Sequence, residues 1–250
     1  MAFPAFFCAD LDEISFPQRS RSFPYSMPPN SIQAVAFDMD GLMFNTEDLY
    51  DEVGEILLGR RGQSFDRDLK LAMMGLPGND AFEIMKQRCA LNETISQLQS
   101  ECDEIFSEML PARIQTMPGL ESLLDLLETR KIPKCVATSS HRQFAARALG
   151  AFNLEPRFEF VLTADDVTNG KPHPEVYLAA ASQLDVDPAA MLVLEDSFTG
   201  STAAAAAGAF TIAVPTKHSL EMDFSHVDHV AQRLDDEVIL GLFTEPKPAI

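Results

Sequence analysis

The stretch Gln33-Ala34-Val35-Ala36-Phe37-Asp38-Met39-Asp40-Gly41 passes from an unbroken apolar run straight into two acids and a glycine. A short apolar run that stops abruptly at charge has the pattern of a strand buried on both faces of a parallel sheet. Its acids then stand at the carboxyl end of that strand, where open parallel sheets bind their ligands.

Four similar runs lie downstream, at Pro133–Ala137, Phe158–Leu162, Met191–Leu194 and Phe210–Val214. Helical spacing separates them. It is seen in Leu120, Leu123, Leu124 and Leu127, then in Phe144, Ala148 and Leu149, then in Val176–Leu184 and the alanine-rich Thr202–Ala207. Strand alternating with helix predicts an α/β fold, a parallel sheet with helices on both sides.

One region breaks the alternation. Between Tyr50 and Gln115 there is no strand-like run, while Val53, Ile56 and Leu57, and later Ile95, Leu98, Cys102, Ile105, Phe106 and Met109, keep helical spacing. Thr116-Met117-Pro118-Gly119 is a turn that returns the chain to the sheet. The expected organisation is a core of residues 32–47 and 117–250, with a helical subdomain over 48–116 inserted after the first strand. Residues 1–31 are rich in Ser, Pro, Arg and Phe without a period, and read as a disordered or loosely docked extension.

The 250 residues, 46% of them hydrophobic, suffice for one sizeable domain or a core with a smaller insertion. A formal net charge of −19 argues against nucleic acid or an anionic membrane as partner. It also means that an anionic substrate needs a cation and local positive groups to draw it in. Cys8, Cys89, Cys102 and Cys135 lack zinc-site or disulfide-frame spacing, so they read as reduced thiols. No apolar run reaches the length of a membrane span, and the opening MAFPAFFCADLDE lacks a basic signal-peptide head, so a cytoplasmic address is expected.

The residues just past each expected strand carry the chemistry. They are Asp38-Met39-Asp40-Gly41, Thr138-Ser139-Ser140, Gly170-Lys171-Pro172 (through a loop) and Glu195-Asp196-Ser197. Singly each has a plain structural reading, as solvated strand-end acids, a helix N-cap before His141, a surface Lys-Pro, or a cap for the alanine-rich helix. Their joint occurrence in chain order, each at a strand end, points instead to one converging site. A hard cation of the Mg²⁺ type takes oxygen ligands and keeps several waters. Asp38 and Asp196 can give it carboxylates, and the Asp40 backbone carbonyl a third oxygen. Lys171 offers a point charge to anionic oxygens, and Thr138 with the Ser139 amide can donate to them near a helix start. Phosphoryl transfer needs that kind of positioning and charge stabilisation.

Asp38-Met39-Asp40-Gly41-Leu42-Met43-Phe44-Asn45-Thr46 resembles the first motif of the haloacid dehalogenase-like hydrolase superfamily. Val136–Ser140, Gly170-Lys171-Pro172 and Val193–Ser197 resemble its second, third and fourth motifs, so the likeness runs from about Gln33 to Val214. This resemblance implies a Rossmann-like parallel-sheet core with an α-helical cap inserted after the first strand. It implies Asp38 as nucleophile, through an aspartyl-phosphate, and Asp40 as the acid that protonates the leaving group and then the base for water. It further implies Mg²⁺ held by Asp38, the Asp40 carbonyl and Asp196, with Glu195 acting through water, and a phosphate held by Thr138, Ser139 and Lys171. Asn45 stands where the superfamily usually has Asp, and is expected to alter the hydrogen bonding of the strand-to-cap hinge and not the catalysis.

Within the superfamily, Asp40 argues against dehalogenases, phosphonate hydrolases and ATPases, leaving phosphatases and sugar-phosphate mutases of the β-phosphoglucomutase type. The stretch Thr46–Tyr50 has no histidine of the kind such mutases carry, and with Met73-Met74-Gly75 it looks closer to the pseudouridine-5′-phosphatase-like branch. The expectation is a phosphatase for a small phosphorylated metabolite, either a sugar phosphate or nucleotide-like. A mutase is the alternative, and a non-catalytic binding protein would have lost Asp38, Asp40 or Asp196. The loop Met74–Asn79 is expected to face the site and has no basic residue, which disfavours a second phosphate. His141 and Arg142 read as an exposed helix start and His173 as loop packing, while His218, His226 and His229 lack metal-ligand spacing.

Overall fold

Ala34–Phe37 forms β1, and all its residues are buried, as two-sided apolar character requires. The structure, a computed structural model, describes residues 31–73 and 78–244. The N-terminal extension, except Ser31, and residues 74–77 of the expected site-facing loop lie outside the described residues.

After β1 come α1 (Thr46–Gly59), α2 (Arg67–Met73), α3 (Gly78–Arg88), α4 (Ile95–Arg113) and α5 (Leu120–Thr129). The chain then alternates: β2 (Lys134–Ala137), α6 (Arg142–Ala151), β3 (Val161–Leu162), α7 (Glu175–Gln183), β4 (Met191–Glu195), α8 (Phe198–Ala206), β5 (Phe210–Ala213) and β6 (His229–Val230). The six strands form one sheet in the order β3-β2-β1-β4-β5-β6, with every pairing parallel. From β1 the chain steps outward to β2 and β3 on one side, then crosses to β4, β5 and β6 on the other. The switch point therefore lies beside β1, where such sheets open a crevice.

Alternate residues of each strand serve opposite faces. Val35, Phe37, Val136, Leu192 and Leu194 pack with α5 and α6 in the larger cluster. Ala34, Ala36, Cys135, Ala137, Met191 and Val193 pack with α7 and α8 in the smaller one. The small side chains on that second face leave room for one large one, Tyr177 of α7, which is completely buried.

Two strand expectations are adjusted. Of Phe158–Leu162 only Val161–Leu162 has strand geometry, because Glu155–Arg157 coils into a 3-10 turn and Phe158 turns edge-on to Phe37, with centroids 5.7 Å apart. The Glu159 N–H still donates to Lys134 O at 2.9 Å, and Phe160 O accepts the Val136 N–H at 3.2 Å. β6, two residues at the sheet edge, is too short to leave a period in the sequence.

Among the described residues between β1 and β2 the secondary structure is helical apart from isolated bridges, one of which joins Phe44 to Thr116. α1 buries Leu49, Val53 and Leu57, whereas Ile56, read as part of that face, is 37% exposed. The insertion leaves and returns at one place. Phe44 and Thr116 form an antiparallel bridge, the Asn45 N–H donates to Gln115 O at 3.1 Å, and the Met117 N–H donates to Met43 O at 2.8 Å. Asn45 reinforces this ribbon, its Oδ1 accepting the Gln115 N–H at 2.7 Å and its Nδ2 donating to Arg113 O at 3.4 Å. An aspartate could not make the second bond.

Candidate active site

The end of β1 presents Asp38, whose N–H donates to Leu194 O of the neighbouring β4 at 3.0 Å, so sheet pairing fixes its backbone. Its side chain is buried and meets Lys171, which reaches in from the loop before α7. Lys171 Nζ lies 2.5 Å from Asp38 Oδ1, 2.7 Å from Glu195 Oε1 and 3.0 Å from Ala137 O. Burial works against its charge, but the Asp38 and Glu195 carboxylates outweigh it and hold the lysine pKa well above the usual range.

Asp38, Glu195 and Asp196 are all buried and bring carboxylate oxygens within 4.8 Å of one another. Burial, then repulsion from Glu195, pushes the Asp38 carboxyl well up. Burial, then repulsion from Asp38 and Glu195, does the same to Asp196. One lysine cannot neutralise three buried carboxylates, so the cluster holds excess negative charge at low dielectric. A hard divalent cation with oxygen ligands relieves that excess, and the donor set fits one.

Asp40, two residues past Asp38, is held by hydroxyls. Its Oδ2 accepts from Ser140 Oγ at 2.7 Å and Thr138 Oγ1 at 3.2 Å. Its Oδ1 is buried and has no hydrogen-bond partner among the described residues. Burial raises the Asp40 carboxyl, with the bonds from Ser140, Thr46 and Thr138 opposing. Gly41 between these acids has φ +79°, and a Cβ there would come within 2.2 Å of Asp196 Oδ2. Both conformation and space require glycine.

The structure therefore brings together Asp38, Asp40, Thr138, Lys171, Glu195 and Asp196. Ser139 is exposed at the rim, beside a cleft of about 150 Å³ that Thr138, Gly170 and Lys171 also line. The Thr138 hydroxyl is engaged, donating to Asp40 and accepting the Ser140 N–H at 3.0 Å. Glu195 is engaged too, its Oε1 by Lys171 and the Tyr177 hydroxyl and its Oε2 by Ser197.

Three residues that the structure engages in hydrogen-bond or ion networks were given no functional role in the sequence. Ser140 was legible, since it belongs to the same strand-end cluster as Thr138. Tyr177, the residue next to Val176 on the first turns of α7, reads only as core. His218 sits in an ion network with Asp48, Asp51 and Lys70 that only the fold assembles. His141 is an exposed helix-start residue paired with Asp165 at 2.7 Å, as expected.

The haloacid dehalogenase-like hydrolase family matches residues 35–214. The chain is 32% identical over 181 residues to a phosphorylated carbohydrates phosphatase of Thermotoga maritima, covering 71% of this chain and 82% of that protein. It is 34% identical over 220 residues to (DL)-glycerol-3-phosphatase 2 of Arabidopsis thaliana, covering 85% and 88%. The fold matches the crystal structure of β-phosphoglucomutase from Clostridium difficile with a TM-score of 0.68 and 22% identity, over 85% of this chain and 97% of that one. The chain thus belongs to the haloacid dehalogenase-like hydrolases, on the branch shared by these phosphatases and the β-phosphoglucomutase fold, and is a phosphoric monoester hydrolase.

Proposed function

We propose that this enzyme is a Mg²⁺-dependent phosphatase for a small phosphorylated metabolite, a sugar or polyol phosphate before others, acting through an aspartyl-phosphate on Asp38. The observation that carries the reading is the pairing of two acids in unlike settings two residues apart. Asp38 is clamped at one oxygen by Lys171 within the acidic cluster, while Asp40 stands outside that cluster among hydroxyls.

In this reading Asp38 attacks phosphorus. Asp40, whose carboxyl burial shifts upward, gives a proton to the leaving oxygen and then takes one from the water that splits the acyl phosphate. Lys171, Thr138 and the Ser139 amide hold the phosphate oxygens. Asp38 and Asp196, the Asp40 carbonyl, and Glu195 through water would hold Mg²⁺, which when bound neutralises charge between the nucleophile and the phosphate. The helical insertion acts as the cap over this rim, and cap closure decides which leaving group is accepted. The named activities of the Thermotoga and Arabidopsis relatives favour sugar and polyol phosphates. The free thiols of Cys89, Cys102 and Cys135 suit a reducing cytoplasm, which belongs to the same proposal.

The test is a panel of sugar, polyol and nucleotide monophosphates with Mg²⁺ and with EDTA, followed by free phosphate. β-Glucose 1-phosphate is added with and without the 1,6-bisphosphate. Phosphate release that needs Mg²⁺ and ignores the bisphosphate is the expected result. Bisphosphate-dependent glucose 6-phosphate with little free phosphate would establish a mutase instead.

A further inference from the structure

Glu195 is the one acid of the buried cluster whose hydrogen-bonding capacity is filled by the protein itself. A carboxylate offers about four lone-pair sites. Glu195 Oε1 accepts from Lys171 Nζ at 2.7 Å and from the Tyr177 hydroxyl at 2.7 Å. Its Oε2 accepts from Ser197 Oγ at 3.0 Å and the Ser197 N–H at 3.3 Å. Gly200 of α8 closes the remaining side, since even a methyl group there would fall 1.7 Å from Oε1. Neither Asp38 nor Asp196 is restrained in that way. Among the described residues Lys171 is the hydrogen-bond donor found on the Asp38 side chain, and none is found on that of Asp196.

Tyr177 is out of place unless it serves this carboxylate. It is the largest fully buried side chain and sits on a sheet face otherwise built from residues such as Ala34, Ala36, Ala137, Ala180 and Ala203. A phenylalanine would fill the same space. The hydroxyl instead brings a polar group into that apolar layer, a placement tolerated only with a partner, and Glu195 is that partner. The ring also lies under the lysine, with Lys171 Nζ 4.9 Å from its centroid. One side chain thus contacts both members of the Lys171–Glu195 pair.

We infer that Tyr177 is a positioning residue that assigns Glu195 to Lys171 and keeps it from joining Asp38 and Asp196 as a direct cation ligand. Asp38 keeps one oxygen free for phosphorus because the charge is shared this way. Lys171 is held against the nucleophile by an acid that cannot leave it, and the cation draws on two carboxylates. A third carboxylate on the ion would tighten it and dampen its pull on the phosphate.

The inference rests on the proposed Mg²⁺-dependent phosphatase reading, and Tyr177→Phe tests it because the ring and its packing remain. Mg²⁺ binding to resting wild-type and variant protein is measured by calorimetry, alongside kcat, KM and the thermal midpoint. We expect a folded variant that binds Mg²⁺ severalfold more tightly, with kcat lower by about tenfold and KM changed less. A purely structural tyrosine would move the midpoint alone, so Mg²⁺ affinity and kcat both within twofold of wild type overturn the inference, as does weaker Mg²⁺ binding. If wild-type protein neither binds Mg²⁺ nor releases phosphate, the failure belongs to the underlying reading and not to Tyr177.

Discussion

At Gly200 the backbone of α8 passes so close to Glu195 that no side chain fits between them. Gly200→Ala must therefore push the helix start outward or evict the carboxylate from its four donors. Such overpacking costs about 1–3 kcal/mol. We expect that loss in a denaturant titration, together with a fall in kcat of more than tenfold, and an alanine variant with wild-type kcat would show that Glu195 need not stay where it is. Asp196 invites the opposite kind of change. Its charge is buried against Asp38 and Glu195, so a neutral amide relieves repulsion in the metal-free protein. In EDTA at neutral pH, Asp196→Asn should melt higher than wild type. The sign follows from a carboxyl whose folded pKa lies above its unfolded one, for which ionisation opposes folding. Adding Mg²⁺ should raise the wild-type midpoint and leave that of Asp196→Asn nearly unmoved. Equal responses of the two proteins to Mg²⁺ would take Asp196 out of the cation site.

Among the elements, α1 and α2 are tied to the loop after β5 by a chain of charges. Lys70 Nζ lies 2.5 Å from Asp51 Oδ2 and 2.8 Å from His218 Nδ1, and His218 Nε2 lies 2.5 Å from Asp48 Oδ1. A lysine ammonium only donates, so His218 Nδ1 accepts and its proton sits on Nε2, facing Asp48. Lys217 adds a second cation to Asp48 at 2.8 Å. The bond from His218, helped by Lys217 and opposed by partial burial, lowers the Asp48 carboxyl from 3.8 to about 2. The stabilisation is thus fully present above 3.8 and is lost as pH falls through about 2. Asp48→Asn should flatten the acid limb of a plot of melting temperature against pH over that window, and a limb as steep as wild type would show the pair to be inert. None of this network was legible in the sequence. Asp48 and Asp51 sit in a helix start like many others, and residue 218 lies far along the chain. By contrast the four buried strands, and the acids after β1 and β4, were legible, because two-sided burial demands apolar runs, and in such sheets ligands bind where those runs end. Phe158 misled because an aromatic that packs edge-on to Phe37 looks in sequence like one that stands in a strand. Tyr177 escaped for a related reason, since its hydroxyl on α7 meets its partner Glu195 only where the fold brings β4 against that helix.

For the whole molecule the dominant fact is the formal charge of −19, carried by a protein whose substrate is itself an anion. Local cations at the site act at contact distance, whereas the repulsion from the rest of the surface acts over a Debye length, about 10 Å at 0.1 M salt. Raising NaCl at saturating free Mg²⁺ should therefore increase kcat/KM for a doubly charged monoester while leaving kcat nearly constant. A steady fall in kcat/KM with salt would show that local attraction governs capture. The second whole-molecule feature is the ribbon at Phe44–Asn45 and Gln115–Met117, where the helical insertion begins and ends. Because its two ends are stitched together, the sheet meets the same short span whatever is strung between them, and closing a longer segment adds only about 0.6 kcal/mol per doubling of length. The insertion is in that sense a cartridge in a fixed socket. Descendants of such a gene can enlarge, trim or trade the insertion while the sheet keeps its strand-end acids in place, and under the proposed reading that is how such a fold would reach new substrates.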